Sequence, residues 1–202
     1  MPQLERGDNG PLNQTMQSKQ RVVAGLSWDA REQKVGLLDK FLKHDSQHDL
    51  DISCYIYNRD GEFVDFVGAE AQDSMDQSES IYHSGDDMSG EGEGDDERIS
   101  VELASLPPEI KTIVFLIEVR SAHNFEDVLN PQVRIVDSFK EENLLFIDIN
   151  HEEGKEKNAF VFAALNKDTR ESPTGWMLHH VADYPNLEKI EDWGEYLKRY
   201  CT

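Results

Sequence analysis

The sequence predicts an all-β protein with a β-sandwich architecture, and two observations carry that prediction. Short runs of β-branched and aromatic residues recur at a spacing of roughly ten residues, with turn-forming residues between them. The runs do not alternate with long helical patterns, which argues against a parallel α/β sheet. With 202 residues, the chain is also long enough to bury a hydrophobic core without disulfide bonds.

The predicted strands follow one another along most of the chain. Between Leu50 and Tyr57, apolar residues alternate with polar or aromatic ones, and the Asp60-Gly61 dipeptide beyond them is typical of a hairpin turn. Pro107 and Pro108 separate two further strands. The predicted strands are 21–28, 50–57, 63–67, 99–103, 111–120, 133–137, 144–149, 160–165 and 176–181. We expect residues 1–19 to form a polar arm or edge strand, and 31–48 and 71–84 to form loops.

The C-terminal segment has a different pattern. Four apolar residues are spaced as on one face of a helix: Leu187, Ile190, Trp193 and Leu197. Because Asn186 is a favourable N-cap, we expect an amphipathic helix over 186–200. The chain is accordingly divided into a sandwich domain at 1–184 and a helical tail at 185–202. Two alternatives remain for this helix: it packs on its own domain, or it binds a partner or a membrane surface.

Composition restricts the classes of function. Acidic residues outnumber basic ones by 41 to 20, so the formal charge is −21. Such a charge repels nucleic acid and attracts cations. Cys54 and Cys201 lie outside any Cys-x-x-Cys pattern and are expected to be reduced thiols in a cytoplasmic protein. Neither a signal peptide nor an integral membrane segment is predicted.

The strongest local signal is a loop from Gly85 to Glu97 in which acids alternate with glycines. Its acidic residues are Asp86, Asp87, Glu91, Glu93, Asp95, Asp96 and Glu97. Carboxylates so close together repel one another unless a cation lies among them. Calcium binds oxygen ligands, and glycines let main-chain carbonyls approach the ion. Without soft ligands in the loop, zinc and copper are disfavoured.

Other interpretations of this loop differ in how well they fit its residues. A solvated, disordered acidic run remains an alternative. An EF-hand is excluded because Asp96 stands where that motif requires glycine and no flanking helices are predicted. A phosphate-binding loop is disfavoured, since the acids would repel phosphate and no lysine follows.

A second group of acids is expected to converge on the loop. Asp49 and Asp51 flank Leu50 at the start of a predicted strand, and the two-residue period of a strand places both on one face. Asp29, directly after Trp28, is a further candidate. Capping of hairpins is the alternative role for these three acids.

Several motifs occur in a fixed order along residues 4–184. They are Leu4-Glu-Arg-Gly-Asp-Asn9, Gly25-Leu-Ser-Trp-Asp29, Asp49-Leu-Asp-Ile-Ser53, the acidic loop, and Asn124-Phe125 with Val128 and Val133-Arg134-Ile135. This series resembles the TerD family, a tellurite-resistance and stress-protein domain. The loop is similar to the family signature Gly-Asp-Asn-x-Thr-Gly-x-Gly-x-Gly-Asp-Asp-Glu. It departs from the signature at Asp87 and Ser89, which both keep an oxygen donor.

The resemblance implies a β-sandwich that binds calcium through clustered acidic loops and has no catalytic residues. It implies a role in stress responses to tellurite and other toxic agents. Stress-response or membrane-associated proteins are the expected partners, in the cytoplasm or at the membrane surface. Taken together, the residues and the resemblance predict these metal ligands: Asp29, Asp49, Asp51, Asp86, Asp87, Glu91, Glu93, Asp95, Asp96 and Glu97.

Two alternative functions follow from the same acidic loop. In a peripheral membrane adaptor, calcium would bridge the loop to anionic lipid. In a metal-assisted hydrolase, clustered carboxylates would hold a metal that activates water. The sequence has no recognisable Ser-His-Asp or Cys-His constellation, which favours a protein that is not an enzyme.

Overall fold

Two antiparallel sheets pack face to face and form a β-sandwich, as predicted. A computed structural model describes residues 4–12, 20–30, 49–87, 90, 94–120, 123–149, 152–168 and 175–202. The strands in chain order are β1 (Asn9–Pro11), β2 (Arg21–Asp29), β3 (Leu50–Asn58), β4 (Phe63–Val67), β5 (Ile81–His83), β6 (Glu97–Glu102), β7 (Ile110–Val119), β8 (Leu129–Asp137), β9 (Glu142–Asp148), β10 (Ala159–Lys167) and β11 (Trp176–Asp183).

The strand order leaves one edge of β3 open at its beginning. One sheet has the order β1-β11-β10-β7-β3-β4 and the other β5-β6-β2-β8-β9. β3 pairs with β7 along its whole length, whereas β4 pairs with it only from Cys54 onwards. Within the described residues, the stretch from Leu50 to Ser53 therefore has a strand neighbour on one side only. The end of the acidic loop lies beside this open edge.

The core lies between the two sheets and follows the predicted alternation. In β3, Leu50, Ile52, Cys54 and Ile56 face the core, whereas Tyr57 faces the opposite side of the sheet. Trp28 and Trp176 are buried in the same core, as their apolar settings indicate. Cys54 and Cys201 are both free thiols. Burial raises the pKa of Cys54, which keeps that thiol protonated and unreactive.

One strand lies where the sequence predicts a loop. β5 falls inside the segment 71–84, and it is too short for its alternation to be recognised. A buried carboxylate, Asp76, accepts hydrogen bonds from the main-chain N–H groups of Ser80 and Ile81, at 2.8 and 2.7 Å. These bonds turn the chain back so that β5 reaches β6. The segment 31–48, predicted as a loop, lies outside the described residues.

The C-terminal tail is not the continuous helix that its apolar spacing predicts. It consists of a 3-10 turn (Leu187–Lys189), helix α1 (Trp193–Leu197) and a second 3-10 turn (Lys198–Tyr200). The Asp192 carboxylate accepts a hydrogen bond from the Glu195 N–H at 3.2 Å, so Asp192 rather than Asn186 is the N-cap of α1. Because an N-cap has an extended backbone, the chain cannot pass through Asp192 as a helix.

The tail packs on the outer face of the six-stranded sheet. The Tyr57 hydroxyl donates to the Gly194 carbonyl at 2.8 Å. Leu197 is buried against the outer apolar cluster that contains Val114 and Leu116. Of the two alternatives for the tail, packing on its own domain is the one observed. In the part of the chain that the structure describes, no helix has the length and apolar character to cross a membrane.

Candidate metal centre

Three of the predicted ligands form one cluster, which we call the carboxylate triad. Asp49, Asp51 and Asp86 each bring a carboxylate oxygen to within 4.8 Å of the others. Asp49 precedes β3 and Asp51 is its second residue, so the two-residue period places both on one face as predicted. Asp86 comes from the acidic loop, just after β5. No other triple of potential metal-binding side chains is found among the described residues.

The triad carries more negative charge than its protein surroundings compensate. Burial, followed by the charge of Glu97, raises the pKa of Asp51 to about 7, although the Arg120 guanidinium opposes this shift. Arg120 lies 2.9 Å from Asp51, measured from Nε to Oδ2. The pKa of Asp49 is also raised, first by burial and then by the neighbouring charge of Asp86. Such shifts mark a site where a cation would relieve a large electrostatic cost.

One triad oxygen has no protein partner. Asp49 Oδ1 is buried and accepts no hydrogen bond. An unpaired buried carboxylate oxygen is unfavourable, because the lost hydration is not replaced. A cation held by the triad would give this oxygen a partner.

Glu97 joins the acidic loop to the open edge of β3. Its side chain is fully buried. Oε2 accepts a hydrogen bond from the Ile52 N–H at 2.9 Å, and Oε1 accepts one from the Asp87 N–H at 3.1 Å. Next to it, His83 accepts a hydrogen bond from the Gly85 N–H at Nδ1, so this histidine is a neighbour that supports the loop. His83 Nε2 lies 3.4 Å from Glu97 Oε2.

Asp95 and Asp96 have protein partners and lie outside the triad. Asp95 makes a bidentate pair with Arg134, at 2.7 and 2.9 Å, on the outer face of the five-stranded sheet. Its carboxylate lies directly over Gly25, where any Cβ would overlap it. Asp96 Oδ2 accepts a hydrogen bond from the Trp28 N–H at 2.9 Å.

The remaining predicted ligands do not belong to the triad or are not described. The exposed Asp29 carboxylate accepts a hydrogen bond from Asn130 Nδ2 at 2.6 Å. Asp87 Oδ1 accepts one from the Gly90 N–H at 3.2 Å. Glu91 and Glu93 lie outside the described residues.

Arg120 lies at the candidate site, although no motif in the sequence predicts it there. It follows β7, and its main-chain N–H bonds to the Asp49 carbonyl at 2.9 Å, which brings its guanidinium to the triad. Only the pairing of β3 with β7 reveals this contact. Since that pairing joins segments far apart in the sequence, no local motif could have identified it.

The donor set of the triad fits a hard cation. All three side chains offer carboxylate oxygens, which calcium prefers, and no nitrogen or sulfur ligand belongs to the group. Calcium takes about six to eight oxygen ligands, so water and main-chain carbonyls would have to complete its coordination. The residues present are therefore compatible with the calcium site that the sequence predicts.

Comparisons with known proteins give a consistent family. A sequence profile of the TerD domain matches residues 1–182. General stress protein 16U of Bacillus subtilis (strain 168) is 31% identical over 158 residues, covering 72% of this chain and 74% of that protein. Tellurium resistance protein TerX of Serratia marcescens is 28% identical over 198 residues, covering 89% and 91%.

A solved structure supports the fold. The crystal structure of a homologue of the telluride resistance protein TerD from Streptomyces coelicolor A3(2) superimposes with a TM-score of 0.65. It covers 84% of this chain and 92% of its own, at 20% sequence identity. At that identity the likeness bears on the sandwich fold alone.

Proposed function

The chain belongs to the TerD family, and from that premise we propose that it is a non-enzymatic, calcium-binding stress-response protein of the tellurium-resistance type. It acts as an interaction module whose conformation depends on the bound ion. The observation that carries the calcium proposal is the carboxylate triad of Asp49, Asp51 and Asp86. The stress-response part rests on the names of the relatives, which are stress and tellurium-resistance proteins.

The triad supports the proposal through its unbalanced charge. Arg120, which is half exposed, forms an ion pair with Asp51 and so offsets only part of the charge of the three carboxylates. Bound calcium would supply two further positive charges at the place where burial and mutual repulsion raise the pKa values. Asp49 and Asp51 would hold the ion from the edge of the sheet, and Asp86 from the loop.

Ion binding at this place would join two separate parts of the fold. Asp49 and Asp51 lie directly before and within β3 of the six-stranded sheet, whereas Asp86 belongs to a glycine-rich loop attached to the other sheet. Without the ion, repulsion among the carboxylates opposes the contact between the loop and β3. A bound ion would be shared by the carboxylates of both parts and would hold the loop against the sheet. The loop surface is thus the part of the molecule whose shape would change for a partner.

A calcium titration tests the proposal. We expect isothermal calorimetry to detect binding, and millimolar calcium to raise the melting temperature of the chelator-treated protein. At a calcium concentration of 100 times Kd, the stabilisation would be about 2.7 kcal/mol. Asp49→Asn and Asp51→Asn should each weaken binding at least tenfold, whereas Asp60→Asn, in the exposed β3–β4 turn, is the matched control. Absence of heat and of any thermal shift in the parent would refute calcium binding.

The two most exposed aromatic residues among the described ones give no support to the membrane alternative. Phe139 and Phe63 are strongly exposed, at 65% and 46%. Phe139 follows β8 at the end where β8 pairs with the start of β2, and Phe63 pairs with Tyr57 near the end of β3. Both positions are remote from the triad, so neither side chain could enter a lipid surface that calcium bridges to the loop. Calcium-dependent sedimentation with anionic liposomes would reverse this ranking.

A further inference from the structure

We propose that Glu97 is the positioning residue of the cation site and is not one of its ligands. It fixes the acidic loop to the edge of β3, and thereby holds Asp86 opposite Asp49 and Asp51. The inference rests on the proposed calcium site and assigns a separate task to one acid of the loop.

The two hydrogen bonds of Glu97 carry the inference. Its Oε2 accepts the Ile52 N–H and its Oε1 accepts the Asp87 N–H. Ile52 is the residue directly after Asp51, and Asp87 is the residue directly after Asp86. One carboxylate therefore fixes the main chain next to a triad member on each side of the site.

Glu97 occupies a position that a strand would otherwise fill. Because β4 ends opposite Cys54, the Ile52 N–H at the open edge has no strand partner and would be an unsatisfied buried donor. The Glu97 carboxylate supplies the missing acceptor. Glu97 itself is the first residue of β6 and pairs with Leu26 of β2, so it is held by the five-stranded sheet.

The location of the carboxylate separates it from the triad. Glu97 is fully buried, whereas the triad members are half-buried or exposed. It does not belong to the group whose ligand atoms converge within 4.8 Å. Its charge still acts on that group, since it is the largest charge effect that raises the pKa of Asp51. Glu97 thus sets both the geometry and the negative potential of the site.

The test compares Glu97→Gln with Asp51→Asn in calcium-free buffer. A glutamine can accept only one of the two N–H groups, because its amide nitrogen is a donor. We expect Glu97→Gln to speed hydrogen exchange at the Ile52 or the Asp87 amide at least tenfold and to lower the melting temperature. Asp51→Asn should leave both amides protected and raise the melting temperature, because it removes repulsion within the triad.

Calcium titration then separates positioning from ligation. We expect Glu97→Gln to weaken calcium binding at least tenfold with the number of bound ions unchanged. Glu102→Gln, on the same strand but paired with Arg21, is the matched control and should keep the affinity of the parent. Glu97→Asp, which keeps the charge but is shorter, should resemble Glu97→Gln and replaces it if the glutamine variant does not fold.

The outcomes are distinguishable. If Glu97→Gln raises the melting temperature and leaves both amides protected, Glu97 behaves as a triad member and the inference is wrong. A parent that binds no calcium refutes the proposed function. In that case the exchange and melting measurements, which need no calcium, still decide whether Glu97 fixes the loop to β3.

Discussion

Trp193 of the tail donates its indole N–H to the Glu118 carboxylate at 3.1 Å, and Glu118 pairs across the strands with Asp51 of the triad. Burial raises the pKa of Glu118, while the Trp193 hydrogen bond and the Arg120 charge oppose the shift. Arg120 is also the ion-pair partner of Asp51. The charge of Arg120 therefore acts both on Asp51 of the candidate metal site and on Glu118, which holds the tail.

The first prediction concerns the attachment of the tail. Trp193→Phe removes the donor but keeps an aromatic ring, and leaves the half-buried Glu118 carboxylate short of one partner. We expect a loss of about 1–3 kcal/mol in the free energy of unfolding, measured in urea. The thiol of Cys201, which packs against the outer apolar cluster, should also react faster with a thiol-labelling reagent than it does in the parent. Cys54 is fully buried in the sandwich core and serves as the internal control. Unchanged labelling of Cys201 would show that other contacts hold the tail.

The second prediction concerns pH in the absence of calcium. The pKa of Asp51 is about 7 in the folded protein, against an ordinary value of 3.8. The folded state therefore binds this proton more tightly than the unfolded state. Asp51 makes stability fall as the pH rises from about 4 through 7, because its ionisation opposes folding.

Comparison of the parent with Asp51→Asn isolates this effect from other titrating groups. We expect the variant to gain stability relative to the parent as the pH rises from about 5 to about 8 in the presence of a chelator. Calcium should reduce the gain, because the ion stabilises the ionised carboxylate of the parent. A stability difference that does not change with pH would contradict the assignment of the raised pKa to Asp51.

The third prediction separates Asp95 from the triad. The Asp95 side chain is 8% exposed and its partner Arg134 is 38% exposed. We expect Asp95→Asn to lower the free energy of unfolding by roughly 1–3 kcal/mol, because a part-buried, charge-assisted hydrogen-bonded pair is weakened. The number of bound calcium ions should stay the same. Arg134→Gln should lower the free energy of unfolding by less than Asp95→Asn does. The double variant should lower it by less than the sum of the two single variants. Loss of a calcium ion in Asp95→Asn would instead make Asp95 a ligand.

The local part of the site follows from the sequence. Asp49 and Asp51 are identified because the two-residue period of a strand is a local property, and Asp86 because acids and glycines alternate around it. The main strands of the sandwich are predicted for the same reason. Their apolar runs are long enough to show alternation.

The nonlocal part of the site does not follow from the sequence. The positioning role of Glu97 depends on where β4 ends. The contact of Arg120 with the triad depends on the register between β3 and β7. The sequence does not distinguish Asp95 and Asp96 from Asp86. In the structure, however, Asp95 pairs with Arg134 and Asp96 accepts a hydrogen bond from the Trp28 main chain. Asp192 is a local N-cap signal that interrupts the tail. The regular apolar spacing of the tail nevertheless favours one continuous helix, so the interruption is not predicted.

Two constraints require glycine at position 90. Its φ is +61°, and a Cβ there would lie 2.6 Å from Trp28 Nε1 and 2.9 Å from the Trp28 carbonyl oxygen. Gly94 has a φ of +102° but open space around a Cβ, so Gly94→Ala is a matched control for backbone strain alone. We expect both alanine variants to lose roughly 1–3 kcal/mol from the strained backbone.

Gly90→Ala should lose further stability, because the Trp28 ring must move before the loop can close. The displacement of Trp28 should change the tryptophan fluorescence spectrum of the folded protein, and Gly94→Ala should leave that spectrum unchanged. Calcium affinity should fall in Gly90→Ala, because Gly90 donates a hydrogen bond to Asp87, the residue directly after Asp86. Equal stability and identical spectra for the two variants would show that the contact between Gly90 and Trp28 does not order the loop.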